Sequence, residues 1–462
     1  MANRMLQSGL GDECDLTHER PFPTEVPMRD RLRLSVILGL ALLSFLAPLK
    51  FTLPVIFYSM QVWPAHEWEW LLASWPETLF YLFLLPLFFL GVFCMEPADR
   101  RARWMLIPAF FAAGQFLSAL GSTHPILSLH TLSLMGSIVA GFWLGGAFIR
   151  SDHHLRWILL AWVLASFLVS WKGISDATGG LEETRHYLEE HPSLAADNPE
   201  LWHKIQSNRI FSTFVYPNAL GGFLICAIFM VAAWSFLPGK GTRPFQLIRG
   251  SFAVAAIMGM LYCLWKSGSK GAYAAFIATL GLGIVTGFKR WKWIFMACSL
   301  LLLAAGGVFA VGYGRPALEM GKSTLEARID YWKAALQIGW DHPLLGTGPG
   351  TFGKLYTKYK TKDAENTRLA HNTYLQMWSD SGCVGLLTFL AFLPGTLIRV
   401  ARAHCHKKTV VVRSVWCAGV AFALHSLVDF DFYMVGNVWP LFVLLGYLER
   451  GARQASLPPS AD

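Results

Sequence analysis

Apolar runs of about 18 residues or more recur along the whole chain, each long enough to cross a hydrocarbon core as a helix. A backbone placed in lipid must satisfy its own polar groups, so such runs leave helices as the economical solution. The expected class is an all-α integral membrane protein. Candidate spans fall at 34–58 (broken near Lys50 and Pro54), 76–95, 104–122, 126–149, 156–174, 214–237, 247–265, 271–288, 292–313, 383–401, 411–427 and 434–448. That is about twelve transmembrane helices. Only 15% of the residues are charged, against roughly 25% in soluble domains.

The charges that remain set an orientation. If the loops alternate from a cytoplasmic N-terminus, the inside set holds Arg29, Arg31 and Arg33, then Arg100, Arg101 and Arg103, then Arg150 and Arg156. It continues with Lys240, Arg243 and Arg249, with Lys289, Arg290 and Lys292, with Arg399, Arg402, Lys407, Lys408 and Arg413, and with Arg450 and Arg453. Every inside loop is basic, as the positive-inside rule requires. Among the shorter outside loops, the first carries Glu67, Glu69 and Glu77 and the last carries Asp429 and Asp431. This distribution accounts for the net charge of +9 without a nucleic acid partner. The organisation expected is a cytoplasmic tail at 1–33, a bundle of nine spans at 34–313 with an outside loop at 175–213, a large outside loop at 314–382, spans ten to twelve at 383–448, and a cytoplasmic tail at 449–462. No apolar segment comes early enough for a signal peptide. The eight Cys lie mostly in spans or on the cytoplasmic side, which argues against a disulfide framework and a Cys metal site.

The 314–382 stretch is the long polar segment between apolar runs in the second half, and its length and internal pattern suggest a working loop. It reads as a helix from Ser323 to about Trp340, a Pro/Gly-rich turn (DHPLLGTGPGTFG), a Lys-rich stretch and a second helix opening HNTYLQMWSDSG. Ser323 and Glu326 have capping-box spacing. At about 100° per residue, Leu325, Ile329, Trp332 and Leu336 share one helix face, with Arg328 at its edge. His371, Tyr374, Leu375 and Trp378 form the matching face of the second helix. These two faces are expected to pack on the bundle and to carry Arg328 and His371 toward it.

Further polar residues converge on the same outer side. Arg209 precedes the span beginning FSTFVYPNALGGFL, in which Tyr216, Pro217 and Asn218 form the entry. Lys266 and Lys270 flank a Ser-Gly-Ser turn, and His425 ends the eleventh span just before Asp429 and Asp431. Charges at a membrane edge are costly unless solvated, paired or liganded. An excess of Arg and Lys there points to an anion, and a phosphate or pyrophosphate matches the guanidinium fork. Singly, Arg209 and Lys266 could snorkel to the interface, His371 could be a core histidine, and His425 could make a helix-end hydrogen bond. The joint pattern is more specific than any member.

With these pieces in order, RIFSTFVYPNALGGFL at 209–224, SKGAY at 269–273, EARIDYWKAALQIGWDHPLLGTGPGTF at 326–352, HNTYLQMWSDSGCVGLLTFL at 371–390 and HSLVDFDFY at 425–433, the chain resembles the O-antigen ligase and polymerase superfamily. The N-terminal half matches only in hydropathy. The resemblance implies a GT-C-like membrane glycosyltransferase that needs no metal or other cofactor. It implies a glycan donor on undecaprenyl pyrophosphate, used at the periplasmic face of the bacterial inner membrane. The acceptor would be lipid A-core sugar for a ligase, another lipid-linked glycan for a polymerase, or a protein hydroxyl. It assigns Arg209 and Lys270 to the donor pyrophosphate with Arg328 assisting, and His371 to catalysis. Relatives usually carry Arg where this chain has Lys270, so Lys266 is a second candidate for that task; Tyr216, Asn218, Asn372, His425 and Asp429 are supporting candidates. Ligation to lipid A-core is the favoured expectation, with polymerase or protein transfer as alternatives. A membrane anion transporter is the alternative of another class, disfavoured because the charges gather at the outer edge and no internal repeat is visible.

Overall fold

In the computed structural model, the described residues are 27–54, 73–190, 205–238, 242–287, 324–362, 364–403 and 409–455. They form α1 (Met28–Lys50), α2 (Glu77–Cys94), the single turn α3 (Pro97–Arg100), α4 (Leu106–Leu120), α5 (Pro125–Phe148), α6 (Asp152–Ser175) and α7 (Leu181–Glu190). There follow α8 (Pro217–Ser235), α9 (Arg243–Ser267), α10 (Lys270–Gly287), α11 (Thr324–Asp341), α12 (Phe352–Tyr359), α13 (Thr373–Ala403), α14 (Val410–His425) and α15 (Val435–Ala455). No strand occurs among the described residues, only an isolated bridge between Pro54 and Met434. Among them, eight helices are long and apolar enough to cross a membrane, and α14 is a shorter apolar helix. α10 and α15 fall where the spans 271–288 and 434–448 are expected. The span at 292–313, the ends of both tails, residues 55–58 and the Ser323 cap lie outside the described residues.

Close helix approach holds the centre together. The sequence Gly141-Phe-Trp-Leu-Gly145 in α5 is a small-xxx-small stripe, which lets helices meet at backbone distance in lipid. A Cβ on Gly145 would stand 1.9 Å from the Val443 carbonyl oxygen of α15, and one on Gly446 would stand 1.9 Å from that of Phe142. One turn away, the Trp439 indole N–H donates to Ser137 O at 3.0 Å and fills the space beside Gly141.

The two ends of the bundle differ. At one end, Arg33 and Arg150 donate to Glu96, Arg150 also pairs with Asp99, and Arg450 lies 3.3 Å from Asp99. These arginines come from three of the expected inside loops, and the structure brings them together. At the other end lies the polar segment. Here α13 bends at Gly382, whose φ of 61° and ψ of −160° break the helix. Its first segment lies across the ends of the spans: the Thr373 amide donates to Ser426 O beyond α14, and Ser118 Oγ of α4 donates to Asp380 O. After the bend it turns down into the bundle, where the Trp416 indole donates to Leu397 O.

α11 differs from expectation. Its packed face is Ala327, Tyr331, Ala334, Ala335 and Ile338, all buried. The anticipated packing row is instead mostly exposed, with Leu325 at 57% and Leu336 at 43%. Small side chains let α11 lie close to α13, so the interface is built from three alanines, Tyr331 and Ile338 rather than from Leu325, Ile329 and Leu336.

Replacing Gly145 with Val should drive a side chain into the α15 backbone. Overpacking of this kind costs about 1–3 kcal/mol, and thermal unfolding in detergent should show a clearly lower Tm. Gly136→Ala on the same helix, where a Cβ meets nothing within 4 Å, should leave the Tm unchanged.

Candidate active site at the polar end of the bundle

The site is assembled on a scaffold that clamps the polar segment to the spans. The buried Asp380 carboxylate accepts from the amides of Gly350 (2.9 Å) and Phe352 (2.8 Å) and from the Gln376 amide group (2.9 Å). Its backbone carbonyl accepts from the Gly348 amide at 2.8 Å. The Gly-Thr-Gly-Pro-Gly turn therefore wraps a carboxylate of its own chain. Gly348 and Gly350 have φ of 111° and 80°, values that favour glycine. Their Cα atoms also press on α5 and the turn before it, where a Cβ would stand 2.2 Å from Ser122 Oγ and Thr131 Oγ1 respectively.

This clamp fixes α13, and the residues just ahead of α13 hold His371. Asn372 caps the helix, its side-chain oxygen accepting from the amides of Tyr374 and Leu375 at 3.0 Å each. Asn372 thus has a structural task, worth about 1 kcal/mol for such caps. His371 precedes the helix with φ of 49°, so helical periodicity does not govern where its ring points. The expected shared face of His371, Tyr374, Leu375 and Trp378 is accordingly split. Leu375 packs with the α11–α12 cluster, the Trp378 indole donates to Leu336 O, and the Tyr374 hydroxyl donates to Ala423 O in the bundle. The buried face of this segment is Thr373, Gln376, Met377 and Asp380.

His371 sits between two aromatic rings. Tyr331 of α11 stacks on it with centroids 5.9 Å apart, and Phe430 meets it edge-on at 4.8 Å. Tyr216 packs edge-on against the same Phe430 at 5.3 Å. The imidazole Nδ1 is buried, has no hydrogen bond, and lies 3.5 Å from Asp429 Oδ1. About a quarter of the His371 side chain is exposed, against 1% of Asp429. Burial alone would raise the Asp429 pKa, but His371 beside it, with the charges of His425 and Arg328, holds it below the ordinary carboxylate range. A carboxylate with a depressed pKa stabilises the fold above the ordinary carboxylate range, and that stabilisation is lost as pH falls through the lowered value.

His425 is 1% exposed and does not pair with Asp429: its Nδ1 is 2.5 Å from Asp431 Oδ2. Asn437 donates to the other oxygen of Asp431 at 3.1 Å. The two His–Asp pairs therefore cross, with the outer one at His371 and the inner one sealed in the bundle.

The cations gather opposite Asp429. Arg209 reaches over the Ser-Gly-Ser turn, its Nε donating to Ser267 O at 2.7 Å and its Nη2 to Asn218 Oδ1 at 2.7 Å. Burial lowers the Arg209 pKa, Asp429 counters that, and the neighbouring positive charge of Arg328 adds to it. Arg328 is half-buried and makes no hydrogen bond or ion pair among the described residues, yet it acts electrostatically on Arg209, Asp429 and His425. Lys270 is exposed at the first position of α10. Lys266 is turned onto the rings of Trp265 (4.8 Å) and Tyr262 (5.9 Å). The structure thus brings Arg209, Asn218, Arg328, His371, Asp429 and Tyr216 to one end of the bundle, through the Arg209–Asn218 hydrogen bond, the His371–Asp429 approach and ring contacts on Phe430, while Lys270 is exposed and Lys266 is turned onto aromatic rings. Tyr331 and Phe430 are additions: the Arg328–Tyr331 spacing of three puts both on one side of a helix, a signal present in EARIDYW.

Residues 255–390 match a protein-family model described as O-Antigen ligase. The chain carries an O-antigen ligase domain. The match supports the resemblance to the O-antigen ligase and polymerase superfamily, whose members are glycosyltransferase-like enzymes. No curated protein matches the chain. The matched stretch includes Lys266, Lys270, Arg328 and His371, whereas Arg209, Asn218 and Asp429 are joined to the ligase domain by the fold.

Two half-buried guanidinium groups at one end of the bundle, neither in an ion pair among the described residues, should take up an anion. Arg209→Ala and Arg328→Ala are each expected to weaken inorganic pyrophosphate binding about 10–100-fold, the worth of a charge-assisted hydrogen bond or two. Arg209→Lys should keep part of the affinity, because it keeps the charge and loses the fork. Titration calorimetry on the purified variants checks this; unchanged affinity in Arg328→Ala removes it from the anion site.

Proposed function

We propose that this protein transfers a glycan from undecaprenyl pyrophosphate to an acceptor hydroxyl at the periplasmic face of the bacterial inner membrane, and that the acceptor is a lipid A-core sugar. The observation that carries this reading is the convergence at one end of a membrane bundle of half-buried Arg209 and Arg328 on the His371–Asp429 pair, Arg328 on the helix whose Tyr331 stacks on His371, and Arg209 and Asn218 beside the Tyr216 that packs on the same Phe430 as His371. Arg209, with Arg328, neutralises the donor pyrophosphate and makes it a better leaving group. Asn218 holds the Arg209 fork in place. Lys270, exposed at the mouth, adds charge on the approach.

His371 acts as general base. Its Nδ1 is turned to Asp429, which leaves Nε2 to accept the proton of the acceptor hydroxyl. Asp429 then stabilises the imidazolium that forms. The acceptor oxygen forms the new bond at the anomeric carbon as the bond to the pyrophosphate oxygen breaks, so the configuration inverts. Tyr331 and Phe430 keep the imidazole from rotating and offer ring faces to a sugar. Burial, then Glu365, push the Tyr331 phenol up to about 12, so it stays a neutral donor. A general base must be neutral to act, so turnover should rise with pH on the acid limb of its profile.

The test measures turnover and donor affinity on the same purified His371→Ala sample. General-base catalysis contributes roughly 10²–10⁴-fold, so turnover should fall by about that much while donor affinity and Tm are kept. Asp429→Asn should give a smaller turnover loss, at least about tenfold. Near-normal turnover in well-folded His371→Ala protein contradicts the proposal.

A further inference from the structure

α11 has three faces. One is buried against α12 and α13 through Ala327, Tyr331, Ala334 and Ile338. A second is polar and exposed, with Glu326, Lys333 and Gln337. The third is apolar and exposed, with Leu325 at 57%, Ile329 at 38%, Leu336 at 43% and Trp340 at 67%. At about 100° per residue these four fall in one narrow stripe along the helix. A continuous apolar row of this kind on a soluble surface marks a contact with something else.

The direction of the helix says what that is. α11 runs alongside the first segment of α13: Tyr331 stacks on His371, Leu336 O accepts from Trp378, and beyond the helix Pro343 O accepts from the Cys383 amide. That segment of α13 lies across the ends of α14 and α4, so α11 lies roughly in the plane of the membrane surface. Exposed apolar residues continue from the stripe onto the flank of the bundle. Leu344 is 68% exposed, its carbonyl accepts from the Val384 amide, and Leu387 one turn further down α13 is 63% exposed. Leu120 at the same end of α4 is 70% exposed.

We propose that α11 is an interfacial helix whose Leu325–Ile329–Leu336–Trp340 stripe is immersed in the lipid leaflet at this end of the bundle. Amphipathic helices bind bilayers in this way, with the polar face toward water, and tryptophan is favoured at the level of the head groups. The immersion holds Arg328 and Tyr331, on the same helix, at head-group depth. The inference rests on the membrane-spanning bundle and not on glycan transfer.

The test uses the full chain with its native cysteines and a fluorescent non-canonical amino acid introduced singly at 329, 336, 326 or 333. The samples are reconstituted in phosphatidylethanolamine–phosphatidylglycerol vesicles with plain or brominated acyl chains. Probes at 387 and 338 serve as lipid-facing and core references. Bromolipid should quench the 329 and 336 probes as it does the 387 probe, at least about twofold more than the 326 and 333 probes, which aqueous iodide should quench instead. Iodide quenching at 329 and 336 without bromolipid quenching places the stripe in water and overturns the proposal. Quenching by neither places another protein surface over it, a second copy included, and also overturns it.

Discussion

Asp380 has a carboxyl group sealed from water at the rim of a membrane bundle, and its hydrogen bonds fasten the glycine turn to the first segment of α13, whose own backbone is tied to the spans through Ser118 and Ser426. A buried charge is tolerated only when its lone pairs are filled. Here two amides of the glycine turn, and Gln376 from its own helix, fill them. Removing the carboxylate would strand two buried amides at about 1–3 kcal/mol each. The turn would then lose its hold on α5 and the turn before it, and the first segment of α13 would lose one of its anchors over the span ends. His371, two residues ahead of that helix, depends on the same anchor. The glycine-rich turn is therefore part of the mounting of the segment that carries His371.

The chemistry proposed for the site follows from an imbalance of charge. Asp431 is satisfied by His425 and Asn437 inside the bundle. Asp429 remains the carboxylate facing His371, with Arg209 and Arg328 both within its field. Two guanidiniums against one acid leave a net positive charge beside the neutral imidazole, and a pyrophosphate supplies an anion with oxygens suited to the guanidinium fork. The interfacial position of α11 adds a reason for the arrangement: a helix fixed in depth by lipid presents Arg328 at the height where a lipid-linked pyrophosphate lies.

Much of this was legible in the sequence, for physical reasons that also mark where reading stopped. Hydropathy located the spans because lipid enforces long apolar helices, and the basic loops anticipated the cluster of Arg33, Arg150 and Arg450 at one end. Arg209, the Ser-Gly-Ser turn and Asn218 lie together, since short loops at the same end have few places to go. The packed face of α11 was misread because large aliphatic residues signal burial in water-soluble helices, whereas here they lie on the exposed side and alanines make the close contact. The ring of His371 could not be aimed by periodicity, because a left-handed backbone at that residue breaks the helical phase. Nor could residue order reveal that Asp429 serves His371 while Asp431 serves His425, because adjacent acids in a turn are sorted by tertiary contact.

The central claim is that cationic side chains and one histidine perform glycan transfer from a lipid pyrophosphate. The most direct measurement is transfer by the purified, liposome-reconstituted chain from a defined undecaprenyl-pyrophosphate glycan to lipid A-core in excess EDTA, with the anomeric configuration of the product read by NMR. The account predicts that product forms in EDTA and carries inverted configuration at the new linkage. Product that appears only when Mg²⁺ or Mn²⁺ is restored, or that retains the donor configuration, would contradict it.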